Sequence, residues 1–317
     1  MNIVVLDGYT LNPGDLSWEA LQALGNCTIY ERTAPEDVVT RAQDAEVLLV
    51  NKVEISQSVM ERLPDLRYIG VMATGYNVID TEFARKQNIV VTNVPTYGTD
   101  SVAQMVLAHV LNYTQRVAHH SRTVKEERWS RNPDFCYWDY PLIELNGLSF
   151  GVIGYGRIGR ATAKLAAAFG MRVLVHHPHP IAPEEPVEAV SLAEVFRQSD
   201  FLSLHCPLTP DNHHLVNKER IGWMKPTAVV INTSRGGLVD ASALAEALTG
   251  GRIAAACLDV LEEEPPPANH PLFEVENCFI TPHIAWASQA ARSRLLQTVV
   301  ENIRAYQQGD LVNVISD

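Results

Sequence analysis

Gly151-Val152-Ile153-Gly154-Tyr155-Gly156-Arg157-Ile158-Gly159-Arg160 decides the fold of this chain. The apolar run entering it from Leu148-Ser149-Phe150 reads as a strand, and three glycines follow at the spacing G-x-G-x-x-G. Ala161 to Phe169 reads as helix, Gly170 stops it, and Met171 to His176 resumes as strand. Strand, glycine turn, helix and strand form the setting in which this spacing marks a dinucleotide site. Gly154 permits the tight turn, Gly156 lets a pyrophosphate approach the backbone, and Gly159 lets the helix lie close to the sheet. The helix N-terminus then faces the phosphates.

Downstream, apolar strands are expected at 172–176, 200–204, 228–232, 254–258 and 278–280, with helices between them, as in a doubly wound sheet. Upstream, Asn2 to Asp7, Cys27 to Tyr30, Ala45 to Val50, Tyr68 to Met72 and residues 89–92 read as strands of a separate α/β unit. Neither series carries hairpin signals, so both sheets should be parallel and covered on both faces. Between them, Ser101 to Val124 reads as one long helix and Trp129 to Leu142 as an irregular, aromatic-rich excursion. A last helix, Ser288 to Gln308, carries Leu295, Leu296, Val299, Val300, Ile303 and Tyr306 at helical spacing; pattern alone leaves open what it packs on.

At 317 residues, two domains are expected. A formal charge of -12 argues against a nucleic-acid partner, which would want a basic face. There is no signal-peptide pattern and no apolar run of membrane-spanning length, so a cytoplasmic protein without membrane association is expected. The cysteines at 27, 136, 206, 257 and 278 are odd in number and lack C-x-x-C spacing, which fits free thiols in a reducing compartment. Cysteines and histidines show no ligand clustering, so no metal is expected.

Three stretches at strand ends can carry chemistry. Arg235 in Asn232-Thr233-Ser234-Arg235-Gly236-Gly237 stands where ligands bind such sheets and can hold a carboxylate through two parallel hydrogen bonds. Asp259 ends the next strand and leads into Glu262-Glu263-Glu264-Pro265. His283, in Thr281-Pro282-His283, suits proton transfer near neutral pH. The plain alternatives are a surface ion pair for Arg235 and a solvated turn for the acidic run, and a lone histidine at a strand end is structural more often than catalytic. As a set behind a dinucleotide loop they can bind a 2-oxo acid, polarise its carbonyl and supply the proton that accompanies hydride.

Over almost its whole length the chain resembles the D-isomer-specific 2-hydroxyacid dehydrogenases. The resemblance rests on Gly151 to Gly159, His205-Cys206-Pro207-Leu208-Thr209, Asn232 to Asp240, Leu258 to Pro265 and Thr281-Pro282-His283-Ile284-Ala285, in that order. Leu6-Asp7-Gly8-Tyr9, Phe135-Cys136-Tyr137-Trp138-Asp139 and Trp286 resemble the glycerate dehydrogenase (hydroxypyruvate reductase) branch. The resemblance implies two Rossmann-like domains with parallel sheets. Residues 1–98 would form a flavodoxin-like substrate domain, 99–286 the NAD-binding domain, and 287–317 a helix returning to the first. Two chain crossings would make a hinge whose closure keeps water from the hydride step.

The resemblance also implies roles. Arg235 would bind the substrate carboxylate, His283 would be the acid and base, and Glu264 would fix its tautomer and favour its protonated form. Gly154, Tyr155, Gly156, Arg157, Ile158, Gly159, His177, His205, Pro207, Thr233 and Asp259 would meet the cofactor, with Asp259 facing the nicotinamide carboxamide. Thr74, Gly75 and Tyr76 would complete the carboxylate site, and Asn51, Lys52 or Tyr76 would pair a substrate hydroxyl. A homodimer through the cofactor domain would bring Trp138 of the partner subunit toward the active site. Hydroxypyruvate is the expected substrate, with glyoxylate slower. The alternatives are another 2-oxo acid (pyruvate, 3-phosphohydroxypyruvate or a bulkier one) and a non-catalytic NAD-sensing corepressor. One position departs from the pattern: His177 stands where an NAD-preferring relative carries aspartate. NAD(H) is expected, with NADP(H) left open, because histidine does not repel a 2′-phosphate and no Arg or Lys lies between 173 and 189 to hold one.

Overall fold

The computed structural model describes residues 1–182 and 186–315. The chain forms two compact units, Met1–Gly98 together with the segment from Trp286 onward, and Thr99–Ala285. No helix among the described residues is long and apolar enough to cross a membrane.

The first unit is built on β1 (Asn2–Val5), β2 (Asn26–Ile29), β3 (Val47–Val50), β4 (Tyr68–Val71) and β5 (Val90–Thr92). The strands are parallel in the order β2-β1-β3-β4-β5, the flavodoxin-like order. Val-Leu-Leu-Val in β3 is buried at every residue, as a strand covered on both faces requires. One cover is the helix Gln289–Gln308, which begins where Ser288 accepts a hydrogen bond from the Ala291 amide and ends at Gly309 in the left-handed region. Leu295, Leu296, Val299, Val300 and Ile303 pack against Ile3, Val5, Leu49 and Tyr68. At roughly 2 kcal/mol per aliphatic side chain, that stripe contributes on the order of 10 kcal/mol as an upper bound. Arg292, 7% exposed, anchors the same helix through two bonds to Asp15 at 2.7 and 2.6 Å.

The second unit contains β6 (Ser149–Ile153), β7 (Arg172–His176), β8 (Glu188–Ala189), β9 (Phe201–Leu204), β10 (Val229–Asn232), β11 (Ala255–Leu258) and β12 (Cys278–Ile280). All are parallel, in the order β12-β11-β10-β9-β6-β7-β8, so the direction of winding reverses between β6 and β9. That crevice is where such sheets take a ligand. The residues immediately after β6, β9, β10, β11 and β12 are Gly154, His205, Thr233, Asp259 and Thr281.

The expected single helix over 101–124 is two, Thr99–Gln115 and Val117–Lys125, broken at Arg116 with φ +49°. The break has a tertiary cause. The returning chain takes the Thr114 carbonyl with the Ile143 amide at 3.2 Å, and Gln115 donates back to Ile143 at 3.0 Å. The Arg116 guanidinium lies over the rings of Phe279, Tyr140 and Tyr113, at 4.6, 4.8 and 5.2 Å from their centroids. The two-residue β8 also was not expected; it pairs with β7 over Leu174 and Val175.

Candidate active site

The glycine turn is shaped by close approaches. Gly154 has φ +94°, and a Cβ there would lie 2.6 Å from the Cys206 amide nitrogen. A Cβ on Gly159 would meet the Gly154 carbonyl oxygen at 2.2 Å, so only glycine lets the helix Arg157–Ala168 start against β6. Gly156 is that helix's N-cap and supplies no side chain to its amides; nothing lies within 4 Å of where its Cβ would be. At the end of β10 the Thr233 hydroxyl is buried without a hydrogen-bond partner in the protein. Leaving such a group unpaired costs about 1–3 kcal/mol, a cost a bound ligand can remove. An open cradle at a helix N-terminus and an orphaned hydroxyl two strands away fit a dinucleotide. Around them Tyr155 is buried, Arg157 exposed and Ile158 half-buried, while the Pro207 carbonyl accepts from Asn212 at 2.7 Å.

Two histidines flank this cradle, both held in the neutral form. Burial lowers His205 to about 4, and its Nε2 lies 2.9 Å from the Ser203 hydroxyl. His177 is lowered by desolvation first, then by His179, Arg160 and His176 nearby. Its Nδ1 accepts the Tyr155 amide at 3.2 Å. The lone pair of Nδ1 is therefore used on the glycine loop, and the neutral ring presents Nε2–H, a donor.

His283 and Glu264 are brought together: Nδ1 lies 2.6 Å from Oε2, with each side chain about one-third exposed, at 33% and 34%. A carboxylate only accepts, so Nδ1 carries the proton of this bond and Nε2 is left for proton exchange. The other Glu264 oxygen accepts from the Leu261 amide at 3.1 Å, which fixes the carboxylate on its own turn. His283 has φ +53°, a left-handed conformation costing a non-glycine residue about 1–2 kcal/mol. Asp259 is what holds it there. Its Oδ1 accepts from the Thr281 hydroxyl at 2.6 Å and the Ile284 amide at 2.9 Å, and Oδ2 from the Ala285 amide at 2.8 Å. The His283 amide bonds the Asp259 carbonyl at 2.8 Å. Asp259 is 1% exposed, and three donors of the turn meet its carboxylate, which gives it a supporting position in this turn.

One contributor escaped sequence reasoning. His109, buried on the helix Thr99–Gln115, has Nε2 3.2 Å from the Thr281 hydroxyl. That hydroxyl gives its only proton to Asp259, so His109 must donate, as the neutral Nε2–H tautomer. Burial lowers the His109 pKa, against the opposing charge of Asp259, and so favours that neutral form. A histidine inside an apolar helical stripe was the available signal.

Arg235 is exposed, with Nη1 donating to the Ser234 carbonyl at 2.8 Å. Its turn is set by buried Asn232, which bonds the Arg235 carbonyl at 2.8 Å and the Ser234 amide at 3.0 Å. A Cβ at Gly236 would fall 1.9 Å from the Leu261 carbonyl carbon, so this turn lies directly against the one carrying Glu264.

The first unit presents its own candidates at the carboxyl ends of β3 and β4. The Asp7 carboxylate, which sequence reasoning had not assigned a role, accepts the amides of Asn51, Lys52 and Val53 at 2.7, 2.6 and 3.1 Å. Asn51 is 7% exposed and its side-chain nitrogen gives one of its two protons to Thr10 at 2.8 Å; Lys52 is exposed. Thr74 bonds the Val94 carbonyl through its hydroxyl and receives Asn93 on its own carbonyl, fixing the backbone that leads to half-buried Gly75 and Tyr76. Trp138 is 63% exposed on the aromatic excursion.

A dinucleotide cradle and a histidine–carboxylate pair at the carboxyl ends of one doubly wound sheet define a nicotinamide-dependent dehydrogenase. The chain belongs to the D-isomer-specific 2-hydroxyacid dehydrogenases: residues 107–285 match the family's NAD-binding domain. It is 47% identical over the full length of both chains to a hydroxypyruvate reductase of Blautia hydrogenotrophica. It is 38% identical, over 90% of each chain, to a glycerate dehydrogenase of Methylorubrum extorquens. The D-lactate dehydrogenase of Aquifex aeolicus, solved with NAD and lactic acid, superposes with a TM-score of 0.81 at 30% identity, covering 98% of this chain and 96% of that one. The protein is an oxidoreductase that uses a nicotinamide dinucleotide and a small 2-oxo or 2-hydroxy acid.

Proposed function

We propose that the protein reduces hydroxypyruvate to D-glycerate, and more slowly glyoxylate to glycolate, with NADH. The observation that carries the chemistry is the 2.6 Å bond between His283 Nδ1 and Glu264. It fixes the imidazole so that protonated His283 gives its Nε2 proton to the 2-oxo oxygen and, in reverse, takes it from the alcohol. Arg235 binds the carboxylate and draws electron density from the neighbouring carbonyl. Bound NADH supplies the hydride that reaches C2. Gly154 to Gly159 hold the pyrophosphate, His205, Pro207 and Thr233 line the nicotinamide side, and Asp259 and Thr281 keep His283 in position.

The substrate assignment is supported by the full-length similarity to a hydroxypyruvate reductase. A pocket that pairs the 3-hydroxyl disfavours pyruvate, because its own polar group is then left unpaired. With saturating NADH and a chelator throughout, kcat/KM should fall in the order hydroxypyruvate, glyoxylate, pyruvate; with NAD⁺ in place of NADH, D-glycerate but not L-glycerate should be oxidised. Pyruvate or a branched 2-oxo acid at the head of that series would overturn the assignment within the same family.

NADH should be preferred over NADPH. His177→Asp should widen the gap, since a carboxylate can keep the Tyr155 amide while repelling a 2′-phosphate. Four kcat/KM values decide it; a wild-type preference for NADPH would refute the reading. The exposed side chains of Val117, Trp129, Phe135, Trp138 and Leu142 support a homodimer through this unit. A monomer by sedimentation at micromolar concentration would count against it.

A further inference from the structure

The absence of ligand clustering among the histidines, expected from sequence, does not hold in three dimensions. His214 has φ +52°, which folds the backbone so that the imidazoles of His213 and His214 stack, with centroids 3.9 Å apart and 28° between planes. Both edges face one carboxylate: His213 Nε2 is 2.7 Å from Glu262 Oε1, and His214 Nε2 is 3.3 Å from Oε2. One ligand atom from each residue lies within 4.8 Å of the others, and all three side chains are open to solvent.

A carboxylate only accepts hydrogen bonds, so each Nε2 must carry a proton in this arrangement. A single divalent ion can replace both protons, each moving to Nδ1 or to solvent, which frees two imidazole lone pairs toward the point the carboxylate already occupies. Two imidazole nitrogens and one carboxylate oxygen, with water completing the shell, suit zinc, nickel, cobalt or copper and disfavour magnesium and calcium, which want oxygen.

We propose that His213, His214 and Glu262 form a surface site for one borderline divalent transition-metal ion, apart from the hydride chemistry. Glu262 shares its turn with Glu264, so a bound ion restrains the residue that orients His283; this consequence alone rests on the function proposed above.

Calorimetry of the full chain with zinc chloride, without substrate or cofactor, tests the site independently of activity. One ion per chain is expected, with cobalt giving visible ligand-field bands. His213→Gln and Glu262→Gln should each weaken binding by more than about tenfold, beyond the low end of what losing an outer-shell partner costs. NADH binding by fluorescence in each variant shows that the fold is retained, and His283→Gln should bind zinc as the wild type does. No saturable binding, or a one-to-one isotherm unchanged in both variants, overturns the proposal.

Discussion

Replacing His283 by glutamine is expected to lower kcat for hydroxypyruvate reduction by about 10²- to 10⁴-fold, the range a positioned general acid supplies. The Kd for NADH should stay near wild type, because the histidine faces the reacting oxygen in this mechanism and the glycine turn is set by other contacts. Glutamine can still bond Glu264 but cannot deliver a proton. Glu264→Gln should produce a smaller fall, since the imidazole remains and only the preference for the Nδ1–H form is weakened. Steady-state rates combined with NADH fluorescence titration separate the two effects. A His283→Gln enzyme that keeps more than a tenth of wild-type kcat would remove His283 from the acid/base role.

Arg235→Gln should be comparably severe but different in kind. Two charge-assisted bonds to the substrate carboxylate are worth about 1.5–3 kcal/mol each, so kcat/KM should drop by roughly 10²- to 10⁴-fold. KM should rise, because the carboxylate is held in the ground state as well. Arg235→Lys should recover only part of the loss: the ammonium keeps the charge but not the planar fork. Full recovery with lysine would mean that charge alone is sensed and that the two-pronged geometry is wrong.

The sheets were legible because they follow from local pattern. Val47-Leu48-Leu49-Val50 can hardly be anything but a buried strand, and the glycine spacing after Val152-Ile153 names its own turn. Ser288 and Gly309 mark the ends of the last helix by ordinary capping chemistry. What could not be read depends on partners distant in sequence. No glycine or proline at Arg116 announces the helix break; the cause lies at Tyr140, Ile143 and Phe279. Asp259 stood out as a strand-end acid, yet only the folded turn shows which donors claim it. The histidine pair at 213–214 lacks ligand spacing because its third member, Glu262, is 48 residues beyond His214.

The hydrogen-bond chain from His109 through Thr281 to Asp259 bears on how this active site can be transplanted. The conformation of His283 is not a property of its own loop. Its placement is inherited from a helix whose His109 lies 172 residues before Thr281, through a hydroxyl whose single proton is already assigned. A segment exchange that moves residues 258–285 between relatives therefore has to bring a donor at position 109 with it. Otherwise the loop arrives with the right letters and a threonine oxygen that has lost the proton it was built to receive.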